Sequence, residues 1–459
     1  MDSEDTKSGG MAQLAFVVRA LRHRNYRLFF FGQGVSLIGT WMQGMALGWL
    51  VYRLTGSEVL LGVVAFSTQI LTFLTAPFAG VIADRVNRRK ILVVTQTAAM
   101  MQAFLLAALT LSGVVTVWHI IVLGMVMGLI AGFDIPIRQS FVVEMIESRE
   151  DLSNAIALNS SLVNGARLVG PSLAGIVVAV AGEGICFLLN GVSFLAVLAA
   201  LLAMRIKPAG ARGRDTRMLH HLKEGFDYAF GSAPIRALLL LVAIVSLFGM
   251  SYGVLLPVFA KAVLHGGPRT QGFLMAATGV GALCGAVFLA SRKDVRGLAR
   301  VMTGASVLFG VALIGFSVSR SVWLSLGMLV LAGLGMMIQM AGNNTLLQMI
   351  VDDDKRGRVM SFYTMAFMGM GPFGSLLAGG LAGTVGAPTT VAVCGLCCVL
   401  AAGVFVTKLP IVERSVRAIG FVPEQVLVQN GGPVPVIGAA VRPAAELGDD
   451  GSSGSSPVG

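Results

Sequence analysis

The sequence predicts an all-α membrane protein with twelve transmembrane helices in two pseudo-symmetric six-helix bundles, and three observations support this fold class. First, 55% of the 459 residues are hydrophobic and only 12% are charged, whereas soluble domains carry about 25% charged residues. Second, the apolar residues form blocks of about 20–28 residues, which are long enough to cross a bilayer as helices. Third, small residues recur at similar places in the two halves of the chain.

The same composition excludes several classes of protein. A soluble enzyme or a disordered chain would carry more charge, and the strands of an outer-membrane barrel span only about 10 residues. The net charge of +11 lies in segments between apolar blocks, so we assign it to membrane orientation and expect no nucleic-acid partner. The sequence contains no P-loop and no His/Asp/Glu cluster, and its five cysteines lie inside apolar blocks. We therefore expect no enzymatic activity, cofactor or metal.

Each apolar block is predicted to form one membrane-spanning helix. The first six helices span residues 27–52, 59–83, 90–112, 117–141, 154–181 and 184–204. The second six span residues 234–258, 271–291, 298–318, 322–348, 358–383 and 388–408. Because several connections are short, consecutive helices are predicted to run antiparallel. The chain thus comprises an N-terminal cytoplasmic segment, a first bundle, a linker, a second bundle and a tail, at 1–26, 27–204, 205–233, 234–408 and 409–459.

The basic residues predict that both termini lie in the cytoplasm, since cytoplasmic loops carry an excess of Lys and Arg. This excess follows helices 2, 6 and 8, at Arg85, Arg88, Arg89, Lys90, Arg205, Lys207, Arg212, Arg214, Arg217, Lys223, Arg292, Lys293, Arg296 and Arg300. In the linker, Leu219, Leu222, Phe226 and Phe230 recur at helical spacing, which predicts an amphipathic helix on the inner membrane surface. The Gly-, Pro- and Ser-rich tail is predicted to be largely disordered.

The two halves are predicted to be a sequence repeat. Gly62 and Gly272 open equivalent helices 210 residues apart, and the pairs Asp84/Asp294 and Ala131-Gly132/Ala341-Gly342 keep this offset. Gly170-Pro171 and Gly371-Pro372 are 201 residues apart, which predicts a shorter loop after helix 10 than after helix 4. Parallel repeats of this kind place a substrate site at their interface near the membrane midplane.

A motif of small and charged residues lies between predicted helices 2 and 3. Gly80, Asp84, Arg85, Arg88 and Arg89 fit the pattern G-x-x-x-D-R-x-x-R-R, which resembles the loop signature of the major facilitator superfamily. The resemblance implies that Asp84 lies at the N-terminus of helix 11, where a helix dipole favours negative charge. It also implies that Arg85 and Arg89 pair with a carboxylate of helix 4 and latch the outward-open state. The alternative is a basic turn that only follows the positive-inside rule.

The end of helix 4 carries the sequence Phe-Asp-Ile-Pro-Ile-Arg-Gln, with Asp134 and Arg138 as its charged residues. A carboxylate inside an apolar helix predicts a functional site. We expect Asp134 to pair with Arg85, Arg89 or Arg138 as part of the latch. It could also carry a proton, and these two roles are compatible because protonation would break the latch. Helix 4 lacks the mid-membrane arginine typical of proton-coupled antiporters of the superfamily, so proton coupling would depend on Arg167 and Asp134.

Helix 5 carries a polar face formed by Ser160, Asn164, Arg167 and Pro171, whose spacings of 4, 3 and 4 place them on one side. Arg167 is predicted near the middle of the membrane, where a charge facing lipid would cost several kcal/mol. Two interpretations stay open. Arg167 contacts an anionic or strongly polar substrate or a coupling carboxylate, or it is a structural arginine bonded to neighbouring carbonyl groups.

The same helix contains a run of small residues and proline at Gly165, Gly170, Pro171, Ala174 and Gly175. The run resembles the G-P-x-x-G-G motif of exporters in the superfamily, with alanine in place of one glycine. This resemblance implies efflux, whereas the alternative is a Pro-Gly kink that carries no information on direction.

Amide side chains lie inside several of the predicted helices. We expect a role in substrate binding or coupling for Gln33, Gln43, Asn190, Asn343 and Asn344. Hydrogen bonds between helices are the alternative role.

Three segments resemble a branch of the superfamily that includes the bacterial enterobactin exporter and macrolide efflux pumps, namely 133–139, 164–171 and 223–228. The resemblance implies a monomeric exporter in the bacterial inner membrane that moves a small amphipathic molecule, a siderophore or lipophilic drug, by alternating access in exchange for protons. The alternatives are an importer, a uniporter or a lipid flippase of the same fold, and a non-transporting membrane sensor or scaffold.

Overall fold

The structure is a computed structural model that describes residues 19–418 except 84–85, 147, 206–225, 293–294 and 296. Within these ranges the chain is almost entirely helical, and no strand occurs. Ten helical stretches of this part of the chain are long and apolar enough to cross a membrane. These observations confirm the predicted all-α membrane fold class.

The first half of the chain begins with a short 3-10 turn at Arg19–Arg22. Four helices follow, namely α1 (Arg24–Thr55), α2 (Glu58–Ala83), α3 (Arg88–Leu111) and α4 (Val117–Val142). The next helical stretch, Arg149–Ala203, is interrupted at Gly182, whose φ of 81° and ψ of 172° are not helical. We label its two parts α5 and α6. Only glycine adopts this backbone conformation readily, so Gly182 is where the chain reverses between them.

The second half of the chain opens with a helical turn at 226–231, which is the described end of the predicted linker helix. Helix α7 starts at Ala233–Ile244 and continues through short π and 3-10 turns to Val263. Then follow α8 (Pro268–Ser291), α9 (Leu298–Val318), α10 (Val322–Ile350) and α11, which runs from Arg356 to Val385 with a π turn at Met365–Gly369. Helix α12 spans Ala387–Ala418.

Two helices extend beyond their predicted ends. Helix α12 continues to Ala418 instead of ending at 408, because Val412 is buried and Glu413 pairs with Arg300 at 2.7 Å. Helix α5 begins at Arg149 instead of 154, and its buried Asp151 is held by the N-terminal segment. In both cases polar contacts with neighbouring segments stabilise a helical turn that hydropathy alone does not predict. The predicted linker residues 206–225 and the tail beyond 418 lie outside the described residues.

The two halves repeat the same close contact between helices. In the first half, Gly128 of α4 packs against the carbonyl oxygen of Thr68 on α2. In the second half, Gly333 of α10 packs against the carbonyl oxygen of Thr278 on α8. A side chain at either glycine would meet backbone, so both pairs of helices approach closely for the same reason.

The starts of equivalent helices locate where the second half is shorter. Arg88 and Leu298 open α3 and α9 and are 210 residues apart, whereas Val117 and Val322 open α4 and α10 and are 205 residues apart. Most of the shortening therefore lies in α9 and its connection to α10. The predicted match of Ala131-Gly132 with Ala341-Gly342 keeps an offset of 210 and is wrong for these two helices.

Candidate functional site

Helix α5 crosses α8 at a point where the two halves of the chain meet. A Cβ atom on Gly272 would lie 2.5 Å from the carbonyl oxygen of Pro171 and 3.1 Å from Cα of Gly175. A Cβ atom on Gly175 would lie 2.8 Å from the carbonyl oxygen of Pro268. Both positions therefore require glycine, because the approaching atoms belong to the backbone and cannot rotate away. We call this contact the α5–α8 crossing.

Helix α2 crosses α11 with the same geometry. A Cβ atom on Gly62 would lie 2.7 Å from the carbonyl oxygen of Ser375 and 3.0 Å from Cα of Gly379, and one on Gly379 would lie 2.7 Å from the carbonyl oxygen of Glu58. We call this contact the α2–α11 crossing. The four glycines of the two crossings lie within about two turns of their helix ends, all on the side of the molecule where α1 connects to α2.

The two crossings define which residues of α5 and α11 are equivalent. Pro171 corresponds to Ser375, which gives an offset of 204 residues rather than the predicted 201. Gly371 therefore corresponds to Arg167 and not to Gly170. The predicted match of the two Gly-Pro pairs is off by one helical turn, and the shortening after helix 10 accounts for a single residue.

Arg167 lies on α5 one turn away from the α5–α8 crossing, on the side toward the middle of the helix. Its side chain is half-buried, and the guanidinium carbon lies 5.6 Å from the centroid of the Trp41 ring on α1. This distance is within the range of a cation–π contact. Its charge also acts on the hydroxyl group of Tyr252 on α7, which bonds to Thr278 on α8 at 3.2 Å. Arg167 thus faces both halves of the chain.

The other residues of the predicted polar face of helix 5 have different surroundings. Asn164 donates a hydrogen bond of 2.9 Å to the carbonyl oxygen of Ser160 on its own helix, and both side chains are half-buried. A Cβ atom on Gly165 would meet open space, whereas one on Gly170 would lie 2.6 Å from Cβ of Trp41. Gly170 therefore lets α5 approach α1, and this approach brings Trp41 beside the arginine.

The predicted amides form hydrogen bonds within and between helices. Gln43 on α1 donates to Gln102 on α3 at 3.1 Å and accepts from Asn190 on α6 at 2.7 Å. In the second half of the chain, Asn343 donates to the carbonyl oxygen of Leu238 at 2.9 Å. Asn344 accepts a hydrogen bond from Gln348, and Gln33 is buried. A role of these amides in substrate binding stays a prediction, while Gln43 and Asn190 already satisfy each other between helices.

Asp134 lies at a junction of α3 and α4 and is buried. Its carboxylate accepts hydrogen bonds from Thr95 at 2.9 Å and Gln96 at 2.7 Å, and Arg138 lies 3.3 Å from its second oxygen. The carboxylate therefore has a cation and two neutral donors around it. Such an arrangement stabilises a buried negative charge.

The loop motif between helices 2 and 3 is only partly within the described residues. Asp84 and Arg85 lie outside them, and Gly80 lies inside α2. Arg88 forms an ion pair of 2.6 Å with Glu144, which follows α4, and Arg89 donates to the carbonyl oxygen of Leu202 at the end of α6. Arg88 and Arg89 thus join the start of α3 to the ends of α4 and α6. Their predicted function as a latch stays a prediction.

The family model described as "Transmembrane secretion effector" matches residues 17–437. This match covers most of the chain. The chain therefore belongs to this family of the major facilitator superfamily. It is a multi-pass membrane transporter, as its sequence predicts, and its family and relatives indicate transport rather than enzymatic activity.

Curated members of the superfamily are similar to this chain over most of its length. The staphyloferrin A transporter of Staphylococcus aureus is 26% identical over 371 residues, which cover 81% of this chain and 92% of the relative. The multidrug efflux pump Tap of Mycolicibacterium fortuitum is 23% identical, covering 78% of this chain and 88% of the relative. The enterobactin exporter EntS of Escherichia coli is 24% identical, covering 78% and 85%.

Solved structures of other transporters share the fold. A bacterial homologue of the iron transporter ferroportin, in an inward-facing state, has a TM-score of 0.65 and 19% identity, and covers 84% of this chain and 98% of its own. A bacterial homologue of the lysosomal transporter Spinster, inward-facing and unoccupied, has a TM-score of 0.65 and 14% identity, and covers 87% and 99%. At these identities the likeness concerns the fold alone.

The sequence analysis missed the partners of several charged residues in this secretion effector. Asp151 on α5 is fully buried and is contacted by Arg19, by Arg22 at 2.6 Å and by His23 at 2.8 Å. Nothing in the local sequence marks this contact, because the cations lie about 130 residues earlier, as the separation of 128 between His23 and Asp151 shows. The pairs Arg88–Glu144 and Arg53–Glu183 were missed for the same reason.

The second half of the chain contains a comparable but more exposed contact. Tyr228, in the helical turn before α7, donates to Asp352 in the α10–α11 connection at 3.0 Å, and Lys355 lies 4.4 Å from the centroid of its ring. Burial is the main cause that raises the pKa of Tyr228 above its usual value. The segments that precede α1 and α7 are thus each bound to a carboxylate near the start of α5 or α11.

Proposed function

We propose that this transmembrane secretion effector is a secondary active transporter of the bacterial cytoplasmic membrane that exports a small amphipathic molecule by alternating access. The observation that carries the proposal is the matched pair of glycine crossings. They join the two halves of the chain at one end of the helices, and both lie next to the deep cation Arg167.

The proposal includes twelve membrane spans in two bundles of six, at the predicted domain boundaries. Ten stretches meet the length and hydropathy required of a span. One of them, Arg149–Ala203, is 55 residues long and is broken at Gly182, and a single span needs only about 20 residues. The 32-residue helix Arg24–Thr55 supplies the remaining span. An even number of spans is in keeping with two cytoplasmic termini.

With both termini in the cytoplasm, the two crossings lie at the outer face of the membrane. The structure would then correspond to a state that is closed to the outside, which is the state named for the ferroportin and Spinster homologues. Transport requires that the crossings separate and that the halves close at the cytoplasmic ends. A pair of glycine contacts suits this motion, because two smooth backbone surfaces can separate without unlocking side chains.

Export is supported by the helix 5 motif and by the names of the relatives. Pro171 and Gly175, two residues of this exporter motif, form the α5–α8 crossing itself. Relatives named as an enterobactin exporter, a multidrug efflux pump and a macrolide efflux protein share the family's superfamily. The proposed substrates are therefore a siderophore or a lipophilic drug, and import, uniport, lipid flipping or a sensor function are the outcomes that an experiment must exclude.

We further propose that protons drive the export through Asp134. Protonation of its carboxylate would remove the charge that faces Arg138 and weaken the junction of α3 and α4. An Asp134→Asn variant keeps an acceptor for Thr95 and Gln96 but cannot be titrated. We expect it to lose the dependence of export on the proton gradient while export down a substrate gradient continues. Export by this variant that a protonophore still abolishes would contradict the role of Asp134.

Metabolite profiling tests the proposed function directly. A strain lacking the protein is compared with its complemented partner, and both cells and medium are analysed with and without a protonophore. We expect one compound to accumulate inside the deletion strain and to leave the cells after complementation. If the complemented strain instead consumes a compound that the deletion strain leaves in the medium, the protein is an importer. If no compound differs, the non-transporting alternative is favoured.

A further inference from the structure

Arg167 is a membrane-embedded cation far from every carboxylate of its own helix. The nearest along α5 and α6 are Asp151 and Glu183, each 16 residues away, which is about 24 Å at 1.5 Å per residue. Both already have partners, Asp151 in Arg22 and His23 and Glu183 in Arg53. Helix α5 therefore brings no negative charge to its central arginine.

The neighbouring helices do not supply one either. Helices α1, α7 and α8, which surround the arginine, contain no Asp or Glu. Asp134 on α4 is paired with Arg138. Among the described residues, no side chain or carbonyl accepts a hydrogen bond from Arg167, whose contact is with the ring of Trp41. The second interpretation from the sequence, a structural arginine bonded to carbonyl groups, is therefore not supported.

The surroundings of Arg167 are apolar on one side and mildly polar on the other. Trp41 covers the guanidinium, and Tyr252 packs edge-on against Phe309 at 6.4 Å between ring centroids while its hydroxyl bonds to Thr278. A mostly apolar site with one placed charge is typical of sites for small amphipathic ligands.

The equivalent position in the other half of the chain carries no charge. Gly371 corresponds to Arg167 by the register of the two crossings, and its nearest neighbour is the amide oxygen of Gln69, 3.1 Å from an added Cβ atom. Closing the two halves does not require an arginine, because the α2–α11 crossing closes without one. The charge of Arg167 is therefore available for something other than holding the halves together.

We propose that Arg167 and Trp41 bind the negatively charged group of the cargo, and that the transported class is amphipathic organic anions with an apolar or aromatic body. This proposal rests on the transport function proposed above. The cargo supplies the counter-charge that the protein lacks at this depth, with a carboxylate or similar group on the guanidinium and its apolar body near Trp41 and Tyr252.

The test measures binding to the purified full-length protein with matched acids and amides. The three pairs are benzoate and benzamide, indole-3-acetate and indole-3-acetamide, and 1-naphthylacetate and 1-naphthylacetamide, at neutral pH where the acids are ionised. A ligand that binds the folded state raises the unfolding temperature according to its concentration and Kd. We expect at least one acid to stabilise the wild-type protein and its amide to have no effect at the same concentration.

Substitutions then separate charge from structure. For the acid that binds, Arg167→Gln should weaken affinity by about 30-fold or more, which is about 2 kcal/mol at 1.4 kcal/mol per factor of ten. Arg167→Lys keeps the charge and should stay within about tenfold of wild type. Arg320→Gln is the matched control, because Arg320 bonds only to the carbonyl oxygens of Ser317 and Ser319 at the end of α9 among the described residues. It should bind like wild type.

Three results would overturn the proposal. None of the acids stabilises the wild-type protein, acids and amides stabilise it equally, or a folded Arg167→Gln variant binds the acid as well as wild type. Failure of the proposed transport function would look different. In that case the acid binds through Arg167 but is not moved across the membrane of proteoliposomes. Conversely, transport of a neutral compound at the wild-type rate by Arg167→Gln would retain the transport function and exclude the anion site.

Discussion

The α5–α8 and α2–α11 crossings share one backbone geometry but differ in the chemistry beside them. In each, a glycine meets a carbonyl oxygen and, four residues later, the Cα atom of a second glycine. One turn away, Arg167 faces Trp41 beside the first crossing, whereas Gly371 faces Gln69 beside the second. The shared part is what a two-fold repeat needs in order to close. The part that differs marks where the protein departs from its own symmetry, and this is the region to which we assign the cargo.

The largest expected effect is on transport, from an added methyl group at either crossing. Gly175→Ala and Gly379→Ala would place Cβ 2.8 Å and 2.7 Å from a backbone carbonyl oxygen. We expect the closed state to be destabilised and the export rate to fall by about tenfold or more in both variants, which corresponds to about 1.4 kcal/mol on the barrier.

Gly380→Ala is the matched control for this measurement, because its added Cβ atom would meet open space although it lies next to Gly379. Alanine is a better helix former than glycine, so this variant should export normally. If only one of the two crossing variants loses export, the crossings are not equivalent, and the symmetric part of the comparison fails.

The next largest effect is expected where segments before α1 and α7 are bound to carboxylates. The side chain of Asp151 is fully buried among three basic residues, whereas that of Asp352 is 62% exposed. Asp151→Asn leaves the basic residues without a counter-charge and should lower the unfolding temperature by several degrees. Asp352→Asn should leave it almost unchanged, because exposed ion pairs contribute little. Equal shifts in thermal unfolding would show that the two segments are held equally.

The smallest effect compares two buried amides. Gln43 bonds to Gln102 and Asn190, whereas neither amide atom of Gln339 has a hydrogen-bond partner among the described residues. Gln43→Leu should cost about 1–3 kcal/mol of unfolding free energy, because two buried partners lose a bond. Gln339→Leu should be neutral or stabilising, since it removes an unsatisfied polar group. Thermal or denaturant unfolding of the two variants decides this, and a large loss for Gln339→Leu would point to an interaction beyond the described contacts.

The sequence predicts the membrane-spanning helices well, because each consists of a long apolar block. It also locates Arg167, since a charge in the middle of such a block is conspicuous. It is less accurate at polar ends, where α12 continues to Ala418 through the contact of Glu413 with Arg300. Hydropathy cannot foresee such a contact between segments that are distant in the chain.

The repeat was predicted in outline but not in register. Gly170-Pro171 and Gly371-Pro372 have the same letters, yet the backbone contacts pair Pro171 with Ser375. A glycine is selected wherever two helices approach, so identical pairs recur at positions that are not equivalent. Only the contacts across each crossing fix the register, and through it the correspondence of Arg167 with Gly371.

The central claim is that the two halves must separate at these crossings for export to occur. Val59 and Gly383 lie on opposite sides of the α2–α11 crossing, and an added Cβ atom on Gly383 would be 2.6 Å from a methyl carbon of Val59. The measurement is export by a V59C/G383C variant before oxidation, after oxidation and after reduction, with each single substitution as control. We predict that the disulfide abolishes export and that reduction restores it. Full export by the completely cross-linked protein would contradict the account.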